Sequence, residues 1–389
     1  MDDMIVFAAR TKLGCRSGST VSYATCHYLE KYKKNRETIR KKNAWKTEGA
    51  GAAFRGIYAP RGDDLEEIEP RASVNGIAFA QDGKIIYSLS VESYSGIFLK
   101  NPQDDSETEG HIIHDNKTRF LNLDYNDRTG EMIASIQDES WERHLALFES
   151  KSSRYRKVTE GECLDENPVW GKADPRTIYY DSAGIGKDHA GGYIESTEKA
   201  VNRLALDSGT IQTIAASPGH DCFSPKVDDQ DRLYFIKRPH QKTGKKGMSF
   251  KDFLLIPYRL ARAVYYWIEF FSIRYTGESL TSAGVNPSQA KNDPKQIMIN
   301  GNIVNAEQAL RENRSKGEKF PGIAPRSWEL MRREKDGSLV CLKKGVIDFD
   351  VTRNNEIVYS NGKYLILIDK AGTERVIDTI DLISRVRAC

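Results

Sequence analysis

The sequence lacks the features that announce a reaction. There is no G-x-S-x-G turn to present a nucleophilic serine, no Walker-type phosphate loop and no H-E-x-x-H pair for a catalytic zinc. Charge of either sign is not in excess. The 58 Lys and Arg against 55 Asp and Glu leave a formal net charge of +3, which excludes a chain-wide polyelectrolyte attraction to nucleic acid. The six cysteines are scattered and none forms a C-x-x-C pair, so a disulfide framework is not expected and free thiols in a reducing compartment are. The opening MDDMIVFAAR places two acidic residues before a very short apolar run, which is not a secretory signal; the expected location is cytoplasmic. With 39% hydrophobic and 29% charged residues the composition is globular, and 389 residues suit two average domains or one large all-β domain.

What the sequence does have is a recurring pattern. A short strand ends in a polar turn and is followed by a second strand rich in Ile, Tyr and Val. The clearest copy is ENPVWGKADPRTIYYDSAG, from Glu166 to Gly184; VNGIAFAQDGKIIYSLS, RFLNLDYNDRTGEMIASIQ, CFSPKVDDQDRLYFIKR and GVIDFDVTRNNEIVYSNG repeat it. The turns carry Asp, Asn or Gly, which tolerate hairpin dihedrals. Two further strand-like segments follow each pair, as in RHLALFES then RYRKVTEG. Four strands per unit at roughly 45-residue spacing is the pattern of a β-propeller blade. Five units start near Val74, Arg119, Asn167, Cys222 and Gly345. A sixth is expected at the N-terminus, with Met4–Arg10 as second strand, Phe54–Pro60 as third, LEEIEP as fourth, and the C-terminal DLISRVRAC closing the ring as the first. The expected fold is an all-β, six-bladed propeller spanning residues 1–389 as a single domain, with helical insertions in blade loops; seven blades is the alternative.

The form NPVWGKADPRTIYY resembles the TolB-type propeller repeat, whose core is Pro-x-Trp-Ser-x-Asp-Gly followed by an apolar strand. Pro168, Trp170, Asp174, Ile178 and Tyr180 match it, while Gly171 and Pro175 stand where the repeat has Ser and Gly; AFAQDGKIIY matches in its Asp-Gly turn. The resemblance implies the fold. It implies little about function, because such repeats serve in translocation proteins, peptidase accessory domains and scaffolds.

Three insertions interrupt the repeat: a basic segment at 11–53, a glycine-rich loop at 182–199 and a long helical segment at 238–326. Each is expected between the second and third strands of its blade. Strand direction alternates, so all three are expected on one face of the disc, along with the links between blades. The longest insertion holds DFLLIPYRLARAVYYWIEFFSIRY, with an amphipathic helix expected about 250–275. Asp252, Arg259, Arg262, Tyr266 and Glu269 share one stripe at helical spacing. The apolar circumference carries Phe253, Leu254, Leu260 and Val264, then Trp267, Ile268, Phe270 and Phe271. Its charges make a membrane-spanning role expensive. The bland reading is that it packs on its own neighbours, such as a helix around Asn302–Asn313. The functional readings are docking into a partner protein or a second copy of the chain, or lying on an anionic membrane at the inner face. Basic neighbours, including Lys245 and Lys246 and the run EKYKKNRETIRKK, suit such a surface. Nucleic acid is the weaker candidate because no named motif appears.

Chemistry is sparse. In HIIH, His111 and His114 are expected on opposite faces of a strand and so unable to share a metal. Lys187, Asp188 and His189 lie in a loop that could meet a ligand. His220, Asp221 and Cys222 are adjacent, where side chains seldom converge. An alternative reading, a channel-centred hydrolase, would draw on Asp124, Asp348 and Asp350. The leading expectation is a non-enzymatic interaction scaffold with no catalytic residue, metal or cofactor.

Overall fold

Apolar blocks separated by short Asp, Asn and Gly turns pair first with their chain neighbours, because a tight turn brings adjacent strands together before distant ones. The computed structural model describes residues 4–9, 11–43, 72–92, 94–138, 141–149, 152–187, 193–241, 296–380 and 382–389, and these blocks form six small antiparallel sheets in a ring. Blade 1 begins with β1 (Ile5–Ala9), β2 (Lys12–Ser17) and β3 (Thr20–Ala24), followed by α1 (His27–Asn43). Blade 2 is β4 (Ala72–Phe79), β5 (Ile85–Val91), β6 (Tyr94–Lys100) and β7 (Gly110–Asp115). Blade 3 is β8 (Arg119–Tyr125), β9 (Met132–Gln137), β10 (His144–Phe148) and β11 (Tyr155–Lys157). Blade 4 is β12 (Cys163–Trp170), β13 (Thr177–Lys187) with β14 (Tyr193–Ser196) turned back on its end, β15 (Ala200–Ala205) and β16 (Thr210–Ala215). In blade 5, β17 (His220–Val227) and β18 (Leu233–Pro239) are separated from the outer strands by a hairpin, β19 (Gln296–Ile299) with β20 (Asn302–Asn305), and by α2 (Ala306–Ser315). The outer strands are β21 (Glu329–Arg333) and β22 (Leu339–Lys344). Blade 6 is β23 (Asp348–Val351), β24 (Ile357–Ser360), β25 (Tyr364–Ile368) and β26 (Glu374–Thr379). Finally β27 (Ile383–Ala388) pairs antiparallel with β1, from Ile5 opposite Ala388 to Ala9 opposite Ile383, and completes blade 1.

Ring closure by the two chain ends is as the sequence predicts. The outer half of blade 1 is a correction. Its third and fourth strands are β2 and β3, not Phe54–Pro60 and LEEIEP, which lie outside the described residues. The signal is a two-residue hairpin. Ser17 pairs with Thr20 across Gly18-Ser19, and Gly18 has φ of 59°. That left-handed turn is where the chain reverses. The expected insertion at 11–53 therefore starts only after Ala24. A second difference lies at Asn302–Asn313. A strand occupies its start, and Asn305 then caps α2 by accepting from the Gln308 amide at 3.0 Å.

The apolar residues sort into six buried clusters, one at each seam between neighbouring blades. Ile133, Leu145 and Leu147 of blade 3, for instance, meet Trp170, Ile178, Tyr180 and Leu204 of blade 4. Close approach is required near the axis. A Cβ on Gly76 would lie 2.9 Å from the backbone of Leu121, Asn122 and Leu123 in the next blade. Polar clasps cross every seam. Arg385 donates to the Asn75 carbonyl at 2.7 Å and Asn75 to the Phe120 carbonyl at 3.1 Å. Asp124 accepts from the Trp170 amide at 2.8 Å and Asp181 from the Ser224 amide at 2.9 Å. Ser224 Oγ donates to Asp348 at 3.2 Å, and Asp348 accepts from the Val386 amide at 2.8 Å.

Alternating strand direction puts every second-to-third connection, and every link from a fourth strand to the next blade, on one face. The excursion after β3 is such a link, so the revised strand order leaves it on the face expected for it. No helix among the described residues is long and apolar enough to cross a membrane.

Closure carries a measurable share of stability. Ile383 and Val386 are fully buried, and burying two such side chains contributes about 3–6 kcal/mol. Deleting residues 382–389 also bares the β1 edge. The expected outcome is loss of a cooperative urea transition or a fall of at least that size in unfolding free energy, read by circular dichroism with size-exclusion chromatography.

Candidate interaction face and central channel

The excursions meet one another on their shared face. In blade 3 the connection from β9 to β10 carries Trp141, whose ring lies 5.9 Å from that of Tyr193 on β14. Lys187, at the end of β13, pairs with Glu142 of the same connection and with Glu162 at 3.3 Å. The hydrogen bond to Glu142 raises the Lys187 pKa. Lys187 is thus a strut between blades 3 and 4; Asp188 and His189 lie outside the described residues. Near α1, Tyr32 and Arg36 reach Glu92, in the turn between β5 and β6, at 2.7 and 2.5 Å. The turn of the β19–β20 hairpin leans toward the axis, where Asn300 donates to the Ile347 carbonyl at 3.0 Å and accepts from Arg385 at 2.9 Å. The residues expected to anchor a partner, from Phe253 to Phe271 with Arg259, Arg262, Lys245 and Lys246, lie outside the described residues.

Beneath this face is a buried charged network. Lys199 donates to Asp181 at 2.8 Å and to Glu166, and Arg143 also pairs with Glu166. Burial alone would push the Glu166 carboxyl up, but the two cations outweigh it and hold it well below the usual range. Asp221 joins Arg238 at 3.1 Å and His240 at 2.7 Å. Arg238 stacks over Phe223 at 4.3 Å and Trp328 at 4.9 Å, so this member of the basic run at 237–247 is structural and not free for headgroups. The triplet His220, Asp221 and Cys222 does not converge. His220 faces the Pro218 carbonyl, Asp221 serves Arg238, and burial raises the Cys222 thiol to about 11.

The histidine pair is a correction. His111 and His114 touch, with ring nitrogens 2.8 Å apart, because β7 bulges between its Ile113 and His111 pairings. The extra residue, Ile112, shifts the pleat by one and brings both rings to one side.

The channel carboxylates are committed to neighbours. Asp124 and Asp348 clasp the next blade as above, and Asp350 accepts from the Ala388 amide at 3.0 Å. Among them sits Lys226, 5% exposed. Burial pushes its ammonium down to about 8, Arg387 adds to the effect, and Asp350, Asp348 and Asp124 oppose it. Sequence reading missed Lys226, although it occupies the same strand position as Asp350, two residues beyond the clasp. It also missed a cluster of His144, Cys163 and Asp165, whose donor atoms all lie within 4.8 Å of one another.

No family model matches the sequence, and no curated protein matches it. Among solved structures, the chain is similar to one in a nidogen/laminin complex, with 8% identity over 99% of this chain and 98% of that one, at a TM-score of 0.50. It is also similar to TolB from Acinetobacter baumannii, with 9% identity over 99% and 65% of the two chains and a TM-score of 0.48. The tricorn protease matches at 10% identity, over 100% of this chain and 35% of that one, with a TM-score of 0.45. At 8% identity the likeness to the nidogen/laminin chain is one of fold, and the ring of six sheets itself is that of a β-propeller.

Lys226 makes a pH test. Below about pH 8 the folded and unfolded chains both hold its proton. Between about 8 and the ordinary value of 10.5 only the unfolded chain does, so this group makes stability rise with pH in that window. Relative to Lys226→Met, the wild type should gain on the order of 3 kcal/mol of unfolding free energy from about pH 7 to about pH 11, by urea titration at each pH. A constant difference would show that Lys226 is not held this way.

Proposed function

We propose that this chain is a non-enzymatic propeller scaffold of the TolB type that docks a protein partner, or a second copy of itself, through the face bearing its excursions. The observation that carries this reading is a group of exposed large apolar side chains on the excursions, which includes the most exposed of a set that also contains outer-strand residues such as Ile211 and Leu339. Met298 and Ile303, cross-strand partners on the β19–β20 hairpin, are 75% and 57% exposed. Trp141 and Ile194, on the excursions of blades 3 and 4, are 58% and 49% exposed. A soluble protein gains nothing from leaving such a set uncovered, whereas an interface core is built from aromatic, Met and aliphatic side chains. The exposed cations of α1, among them Lys34, Arg40 and Lys41, would steer approach. The segment around Trp267 would add the main anchor, and the setting would be the cytoplasm.

The channel-centred hydrolase is the weaker reading, because Asp124, Asp348 and Asp350 each hold a backbone amide of the next blade.

The test compares three tagged forms in cells that naturally make the protein: wild type, Met298→Asp with Ile303→Asp, and a deletion of residues 248–277. Sedimentation velocity reads self-association, and an arm with anionic vesicles reads membrane binding. The expected result is a stoichiometric protein partner, or a dimer, weakened at least ~10-fold by the double substitution while the unfolding midpoint stays in place. Equal binding by all three forms would overturn the docking face. Capture by vesicles alone would replace the protein partner with a lipid surface.

A further inference from the structure

Seam 3–4 brings three metal-ligating side chains together from two blades. His144 is the first residue of β10, and Cys163 and Asp165 lie at the start of β12. The Cys163 sulfur is 3.9 Å from His144 Nδ1 and 3.4 Å from Asp165 Oδ2. In a tetrahedral zinc centre, bonds of about 2.0–2.3 Å put neighbouring donors about 3.3–3.7 Å apart. The sulfur is therefore close to coordinating distance from both partners, and all three donors lie within 4.8 Å of one another before any ion draws them in.

The surroundings fix them there. The Arg143 amide donates to the Cys163 carbonyl and the Asp165 amide to the Arg143 carbonyl, both at 2.9 Å, so the two blades are zipped on either side of the cluster. Ser182 Oγ donates to Asp165 Oδ1 at 2.6 Å, which leaves Oδ2 turned to the sulfur. Such an outer hydrogen bond is the usual device for orienting a carboxylate ligand. Around the sulfur lie the carbonyl oxygens of Gly161 at 3.6 Å, Glu160 at 3.8 Å and Arg143 at 3.9 Å. The surroundings of the sulfur are thus rich in oxygen, which a cation bound to it would offset. His144 and Asp165 are buried and Cys163 is partly exposed, which gives an ion a way in.

We propose that His144 Nδ1, Cys163 Sγ and Asp165 Oδ2 form a zinc site that staples blade 3 to blade 4, with a fourth position left for water or another ligand. A mixed sulfur, nitrogen and oxygen set suits zinc, whereas magnesium and calcium take oxygen alone. Binding releases the Cys163 thiol proton to solvent and forms the zinc–sulfur bond; nothing is oxidised or reduced. The site is independent of the docking reading, since it lies within a seam and needs no partner.

The experiment titrates the metal-free full-length chain with Co²⁺ and then Zn²⁺ against a competing chelator. One equivalent of Co²⁺ should give a thiolate charge-transfer band in the near-ultraviolet and intense visible bands of tetrahedral cobalt, both erased by Zn²⁺. Cys163→Ser and His144→Ala should weaken binding at least ~100-fold, Ser182→Ala about 10-fold, and Cys341→Ser not at all. Zinc should also raise the melting temperature of the wild type and not of Cys163→Ser. Should a variant fail to fold, the unmodified chain decides. Zinc is expected to slow alkylation of Cys163, mapped by mass spectrometry, and not that of exposed Cys341. Absence of the thiolate band, its persistence in Cys163→Ser, or Cys163 alkylation unchanged by zinc would each overturn the proposal.

Discussion

Every blade of a propeller leaves the inner edge of its first strand without a partner strand. Six such edges face the axis, and their amides and carbonyls must be satisfied there or the ring cannot exclude water. This chain answers with side chains reaching from one blade to the edge of the next. Asp124 holds the Trp170 amide, Asp181 the Ser224 amide and Asp348 the Val386 amide. These carboxylates cannot be read apart from the edges they serve. The same requirement explains why the channel is polar, and why a lysine can be buried in it: Lys226 sits among acids whose oxygens are already partly spent.

The two faces of the disc differ for a reason of direction alone. One face receives the turns inside hairpins that open and close each blade, and these stay short apart from residues 101–109 between β6 and β7. The other receives the crossings, where α1, the β13–β14 extension and the β19–β20 hairpin with α2 all emerge. The charged network of Arg143, Glu166, Lys199 and Asp181 lies beneath that second face. Buried ion pairs add little net stability, since desolvation offsets their attraction. What they do is tie blade 3, blade 4 and the base of the excursion to one another.

Sequence patterning disclosed the blades and their closure because both rest on short-range regularity. Alternation, Asp-Gly turns and a leftover apolar segment at the C-terminus suffice to find them. The outer strands of blade 1 are harder to read, because the short hairpin signal Ser17-Gly18-Ser19 competes with more distant apolar segments. The histidines failed for a finer reason: one bulged residue, Ile112, inverts the parity on which any strand-face argument depends. His144, Cys163 and Asp165 had no local signature, because their proximity is created by docking two separate sheets. The exposed pair Met298 and Ile303 was hidden for the same kind of reason. An apolar strand looks identical in sequence whether its side chains are covered or bare.

The excursion between Pro239 and Glu329 starts and finishes on strands that are already hydrogen-bonded neighbours, Lys237 being paired with Glu329. For a loop anchored that way, closure entropy rises only with the logarithm of its length, about 0.6 kcal/mol for each doubling. The scaffold is accordingly almost indifferent to how much chain is threaded through that doorway. A change in the length of this excursion therefore costs the six sheets little, and its sequence is free to change faster than the architecture.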